Sequence, residues 1–226
     1  MEKLYMVHGF MGTGETHFNQ QIEYFNEKYE VVALDLPGHG TNGTQYENDY
    51  FQQTLEWLRD YIEEHGAGFI LGLSLGASLA IHTAIRFPSL VKGVVLTGYI
   101  PFVPDYLQPL MEKQYDQFLH IENHAPDTAD HFENLHGEKW KQTLRSVLYM
   151  MTFEYPAISD QQLLQVENIL LLNGDQERHE VEATTYLKQL NDEISVGVIP
   201  GAGHTANMDS PQVFNRNVEG WLQLHV

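Results

Sequence analysis

The chain predicts an α/β fold: a doubly wound, mainly parallel sheet of six strands with helices on both faces. Three observations predict it. Six short apolar runs, 4–7, 31–34, 69–71, 91–97, 169–172 and 194–199, lack the strict alternation of a half-exposed strand, as expected of strands covered on both faces. Most of the segments between them carry apolar residues at helical spacing. One interval, 101–165, is far longer than a single crossover helix needs.

Taken in order, Leu4-Tyr-Met-Val7 ends at the turn His8-Gly9, and Val31-Val-Ala-Leu34 ends at Asp35. Between them Phe18, Ile22, Phe25 and Tyr29 recur at helical spacing, which makes a strand, helix, strand unit. From Asn48 the pattern is helical again. Leu55, Leu58, Tyr61 and Ile62 fall on one face, Glu56, Arg59, Asp60 and Glu63 on the other, and His65-Gly66 ends the helix. Phe69-Ile-Leu71 then runs into Gly72-Leu73-Ser74-Leu75-Gly76, and the helix that follows stops near Phe87-Pro88, because proline disfavours helical geometry in the residue before it. Helices over 180–190 and 211–224 flank the last two strands. The crossovers between parallel strands are expected to be right-handed.

These elements divide the chain into a core, 1–100 and 166–226, and a helical insertion, 101–165. Trp140, Leu144, Val147, Leu148 and Met151 make one apolar stripe in that insertion. It leaves the carboxyl edge of the sheet, where sites in such folds lie, so it is expected to roof the site as a cap. The alternative is a helical elaboration at the side of the sheet.

Composition limits the function. With 226 residues and 42% hydrophobic content the chain can bury one sizeable core. It has no cysteine, which excludes thiolate catalysis and Cys-ligated metal sites. Thirty-one acidic against twelve basic side chains give a formal charge of −19, a surface that repels phosphate backbones and anionic lipid. No nucleic-acid or membrane partner is expected. The first ten residues read as strand and turn rather than as a signal peptide, so the expected location is cytoplasmic. Neither a metal nor a cofactor is expected, since no ligand cluster such as H-E-x-x-H occurs and the glycines after the first strand do not form a G-x-G-x-x-G cradle. The oligomeric state is not legible.

Ser74 is the candidate nucleophile. Glycines on both sides relieve crowding at a sharp strand-to-helix turn, and the serine projects beside the free N–H groups of a helix start. A hydroxyl needs a base to take its proton and a group to orient that base. Among twelve histidines, His204 follows the last strand directly, in Gly201-Ala-Gly-His204, on the same sheet edge as Ser74. His8, His39 and His179 also follow strands. The loop after the fifth strand, Asn173-Gly-Asp175-Gln-Glu177, offers Asp175 or Glu177 as the orienting carboxylate, and the residues alone leave these two open. An oxyanion would be held by the N–H of Leu75 and by that of Phe10 in the turn after the first strand. The insertion and the residues leading into it supply apolar candidates for a substrate pocket: Tyr99, Phe102, Tyr106, Met111, Trp140 and Met151.

Together these segments resemble the α/β-hydrolase superfamily over nearly the whole chain. His8-Gly-Phe10-Met-Gly12 is similar to its HG turn, Asp35-Leu-Pro-Gly-His39-Gly40 to its D-x-x-G-H-G segment, 72–76 to its nucleophile elbow and 201–204 to its G-x-G-H base motif. Its G-x-x-D acid motif aligns on Gly174-Asp-Gln-Glu177, which implies Glu177 as the acid, a glutamate where aspartate is usual. Against that family the usual first hairpin is missing, and the resemblance implies a six-stranded sheet in the order 2-1-3-4-5-6. The resemblance implies a cofactor-free serine esterase acting on small or medium lipophilic esters through an acyl-enzyme. One alternative is a MenH-like lyase using the same residues to abstract a proton; the opening H-G-F-x-G is similar, but the arginine-bearing segment of that group is not recognisable after Gly98. The other is a non-catalytic protein that holds a small ligand.

Overall fold

The computed structural model describes residues 1–46 and 48–226. Six parallel strands form one sheet in the order β2-β1-β3-β4-β5-β6: β1 (Lys3–Val7), β2 (Glu30–Leu34), β3 (Gly68–Leu73), β4 (Val91–Thr97), β5 (Ile169–Gly174) and β6 (Ser195–Ile199). The order reverses at β1, so β1 and β3 diverge into their connections at the centre of the sheet. In such sheets a crevice opens there, at the carboxyl ends. β3 and β5 are buried along their whole length, which accounts for their unbroken apolar sequence.

The two faces have separate cores. On one, Tyr5, Ile70, Val94 and Leu171 pack under α2 (Tyr50–His65), α3 (Leu75–Arg86) and α9 (Arg178–Leu190), through Leu55, Leu58, Leu79, Ile81 and Leu187. On the other, Leu4, Met6, Phe69 and Leu172 pack against α1 (Gly14–Phe25) and α11 (Pro211–Gln223), through Phe18, Phe25, Phe214, Val218 and Trp221. α3 is the most enclosed helix, with nine of its residues buried. That follows from its small, apolar sequence Leu-Gly-Ala-Ser-Leu-Ala-Ile, which lets it lie close on the sheet.

Residues 101–165 contain α4 (Gln108–Leu119), α5 (Ile121–His124), α6 (Pro126–His136), α7 (Trp140–Phe153) and α8 (Asp160–Leu163). These helices form a cap with its own small core of Ile121, Ala129, Phe132, Trp140, Leu144 and Leu148. One residue of the body, Met11, belongs to that core. The other side of α7 sends Val147 and Met150 into the core of the body, so both faces of this helix are used. Its stripe is therefore broader than the five residues its periodicity suggests.

Candidate active site

Ser74 sits on the turn between β3 and α3 with φ 54° and ψ −113°. A non-glycine residue at this φ is strained, at a cost of about 1–3 kcal/mol. Close packing imposes it. A Cβ on Gly72 would lie 2.3 Å from the carbonyl oxygen of Gly76, and a Cβ on Gly76 would lie 1.9 Å from that of Val7. The two glycines thus let helix and strand approach too closely for any side chain. Full burial of Leu75, Leu79 and Ile81 on α3, about 1.5–3 kcal/mol for each such side chain, outweighs the strain. The Ser74 N–H donates to the carbonyl of Thr97 at 2.9 Å, fastening the turn to the end of β4.

His204 lies on the loop between β6 and α10 (Ala206–Asp209). Its Nδ1 is 2.5 Å from Oε1 of Glu180. Because the carboxylate accepts, Nδ1 carries the hydrogen and Nε2 is left to face a hydroxyl. Glu180 is fully buried, and its Oε2 has no hydrogen-bond partner among the described residues. Its carbonyl accepts from Nδ2 of Asn173 (3.1 Å), which pins the first turn of α9 to the end of β5, and from the hydroxyl of Thr184 one turn along the same helix (2.9 Å). Desolvation pulls the His204 pKa down, but the hydrogen bond and charge of Glu180, then the charges of Glu177 and Asp209, raise it above the ordinary 6.5.

The partner of His204 is therefore Glu180, neither Glu177 nor Asp175. Asp175 turns its Oδ1 to the N–H of Gly201 at 2.8 Å and so holds the loop that carries His204. Glu177 stands at the N-cap position of α9 but its side chain makes no capping hydrogen bond; half-exposed, it lies 3.9 Å from Nδ1 of His179. The resemblance implied a carboxylate from the loop, at Glu177, whereas the one that meets His204 is the third residue of the helix. A signal was present: Glu180, Ala183, Thr184 and Leu187 form the buried face of α9 at helical spacing. A carboxylate on the inward face of a helix demands a partner.

Ser74, His204 and Glu180 line one cavity of about 340 Å³, with Met111 and Met151 from the cap and with Glu177 and His179. Gly98, Ile100, Leu107, Leu110, Gln114 and Tyr155 complete it. Four of the six residues expected in the pocket are elsewhere. Tyr99 is buried in the core of the body. Trp140 is spent inside the cap core. Tyr106 is half-exposed, donates to Glu182 at 2.7 Å and lies against Arg178. Phe102 lines a neighbouring apolar cavity of about 220 Å³, edge-on to Tyr186. Aromatic character alone did not separate residues that pack the cap from those that line the pocket. A larger cavity of about 620 Å³ lies beside Tyr50, Arg145 and Tyr149, remote from these groups.

Leu75 begins α3, so its N–H has no carbonyl one turn earlier to bond. Phe10 stands in the turn after β1, where Met11 has φ 50°. Three imidazoles hold this turn. His8 donates from Nδ1 to the carbonyl of Gly9 (2.8 Å) and accepts at Nε2 from Leu36 N–H (2.9 Å). His17 accepts at Nδ1 from Gly9 N–H (3.2 Å). His136, from the cap, accepts at Nδ1 from Gly40 N–H (2.9 Å) and donates from Nε2 to the carbonyl of Met11 (3.0 Å). A backbone N–H only donates and a carbonyl only accepts, so His8 and His136 are fixed as neutral tautomers and His17 is neutral at Nδ1. Burial first, and then neighbouring imidazoles, lower the pKa of His8 well below 6.5 and that of His17 to about 4. Among the described residues no group of three His, Asp or Glu side chains is arranged to hold a metal ion.

Comparison with known proteins bears on the whole chain. The model of the alpha/beta hydrolase family matches residues 4–217. The crystal structure of NosK from Streptomyces actuosus superposes with a TM-score of 0.91 at 33% identity, covering 99% of this chain and 98% of that one. MenH from S. aureus superposes at 0.80 with 17% identity, covering 99% and 94%; at that identity the likeness is one of fold. By sequence, the (E)-2-((N-methylformamido)methylene)succinate hydrolase of Acinetobacter baylyi is 23% identical over 98% of this chain and 90% of its own length. With the six-stranded sheet and the helical cap, the family match means that this chain belongs to the alpha/beta hydrolase family.

Proposed function

We propose that the protein is a serine hydrolase of small to medium lipophilic carboxylic esters, working through an acyl-enzyme on Ser74. The observation that carries this reading is the meeting of Ser74 with the His204–Glu180 pair in one cavity. His204 takes the hydroxyl proton as Ser74 attacks the carbonyl, and Glu180 stabilises the imidazolium that forms. The N–H groups of Leu75 and Phe10 hold the oxyanion. His204 then protonates the departing alcohol and activates water, which releases the acid and restores Ser74.

The lining narrows the substrate. Ile100, Leu107, Leu110, Met111 and Met151 supply apolar surface, and the two methionines adapt to irregular shape. Among the described residues the acidic and imidazole side chains of the cavity lining are Glu177, Glu180, His179 and His204, without a lysine or arginine. A lyase substrate bearing several carboxylates needs cations, so the lining favours a neutral ester over the MenH-like reading. A neighbouring pair of carboxylates would repel such a substrate.

The test is labelling by a fluorophosphonate and a panel of p-nitrophenyl esters of increasing acyl length. Labelling lost in Ser74→Ala, with turnover that peaks at short or medium acyl chains, is expected. Folded protein that takes no label overturns the serine mechanism and revives the ligand-binding alternative. A labelled protein with negligible ester turnover directs attention to lyase chemistry.

A further inference from the structure

The turn that carries Phe10 is shaped by the cap rather than by the body alone. Met11 adopts φ 50°, a left-handed conformation that costs a non-glycine residue about 1–2 kcal/mol. Three contacts from the cap meet this residue and its neighbour. The Met11 side chain is buried in the cap core beside Ile121, Phe132 and Leu148. The Phe10 ring packs edge-on against Phe118 of α4, with centroids 5.3 Å apart. Nε2 of His136, the last residue of α6, donates to the Met11 carbonyl, while its Nδ1 accepts from Gly40 on the turn after β2.

We infer that His136 is a positioning residue through which the docked cap sets the oxyanion turn, so that cap closure and oxyanion stabilisation are one event. The inference rests on the reading of Phe10 N–H as an oxyanion donor. The carbonyl of Met11 lies one residue beyond that N–H, and rotating either intervening peptide unit moves the donor. With both imidazole nitrogens engaged, one ring clamps two loops of the body to the end of one cap helix. Substrate entering past a raised cap would meet an unformed oxyanion site. Closure over the substrate would then form it, which limits turnover to a covered, water-poor cavity.

Three variants test this. His136→Leu removes both bonds, His136→Gln keeps an acceptor and a donor on one side chain, and Ile62→Ala, in the body core at the last turn of α2, lowers stability away from the cap. In p-nitrophenyl ester hydrolysis, His136→Leu is expected to lower kcat roughly 10- to 100-fold with little change in KM, as for a displaced oxyanion donor. His136→Gln should recover most of that loss. Ile62→Ala should lower Tm and leave kcat near wild type. Equal loss of kcat in Ile62→Ala and His136→Leu at matched Tm, or wild-type kcat in a folded His136→Leu, overturns the inference.

Amide hydrogen exchange over residues 9–14 gives a readout independent of turnover. It should quicken in His136→Leu and be restored in His136→Gln. If the Leu variant does not fold, His136→Asn, too short to span both partners, takes its place with the same expectations. Failure of the wild type to accept a fluorophosphonate would remove the esterase reading alone. Unchanged exchange in these variants would remove the clamp.

Discussion

His204 is bound through Nδ1 to a carboxylate, Glu180 Oε1 at 2.5 Å, that is fully buried. The two carboxylates of the preceding loop do not take this place: Asp175 accepts from Gly201 N–H, and Glu177, half-exposed at the helix start, lies 3.9 Å from Nδ1 of His179. Glu180→Gln is therefore expected to lower kcat/KM by roughly 10³-fold or more, the scale on which loss of an orienting carboxylate acts in such triads. Asp175→Asn weakens a contact to the loop and should cost much less, and Glu177→Gln the least. Steady-state kinetics on one p-nitrophenyl ester rank the three. A larger loss in Glu177→Gln than in Glu180→Gln would overturn the assignment.

The same pair sets the pH dependence of activity. A general base works when neutral, so the rate should rise with pH through the His204 pKa. Desolvation lowers that pKa, but the bond and charge of Glu180 raise it further, leaving the midpoint above the ordinary 6.5. In Glu180→Gln the charge is gone, and the midpoint of the residual activity should move to lower pH. A pH profile of kcat/KM in both proteins checks the direction. An unmoved midpoint would mean that another group governs the limb.

How much of this was legible before the structure depends on what each residue answers to. The strands follow from apolar runs, a local property, whereas their order, β2-β1-β3-β4-β5-β6, was legible only through the family resemblance. Ser74 and His204 were legible because their glycine-flanked turns mark places where a backbone must bend at a strand end. Glu180 was not, since its place beside His204 depends on which way the first turn of α9 faces, and that turn is held by Asn173 at the end of β5. Trp140 and Met151 lie on one stripe of one helix, yet the first packs the cap and the second lines the cavity. Hydrophobicity reports that a side chain is covered and is silent on what covers it. His136 has no sequence signal at all, because it joins two loops about a hundred residues earlier in the chain.

The strain at Ser74 gives a stability prediction that does not depend on substrate. Glycine adopts φ 54° without the Cβ clash that serine meets there. Ser74→Gly should therefore relieve about 1–3 kcal/mol of strain, offset by about 0.5–1 kcal/mol from the added freedom of glycine in the unfolded chain. The inactive variant is expected to be at least as stable as the wild type, with Tm higher by roughly 2–4 °C per kcal/mol gained in a chain of this size. Ser74→Ala retains the Cβ and should gain little. Thermal denaturation of the three proteins under one buffer decides it, and a Ser74→Gly variant clearly below wild type would show that the turn is relaxed.

The histidines around the Phe10 turn should make the fold acid-sensitive well above the usual carboxylate range. Burial is the first cause of each lowered pKa: His17 is brought to about 4, His39 to about 3, and His8 and His136 below 6.5. For such a group the unfolded chain binds the proton more readily than the folded one, so stability is fully present above about pH 6.5 and is lost as pH falls toward the folded value. His204 has the opposite sign. Its raised pKa contributes stability below 6.5 that disappears as pH rises through its folded value. Four lowered groups oppose one raised group that is about half-exposed, so the acid loss should dominate. Urea midpoints measured from neutral pH down to about pH 4 should fall steadily, and His17→Asn, which removes one proton-binding site from the unfolded chain, should flatten the slope over that window. A midpoint that holds to pH 4 in the wild type would mean that these rings accept protons without disturbing the turn, and the neutral tautomers assigned from their backbone partners would be wrong.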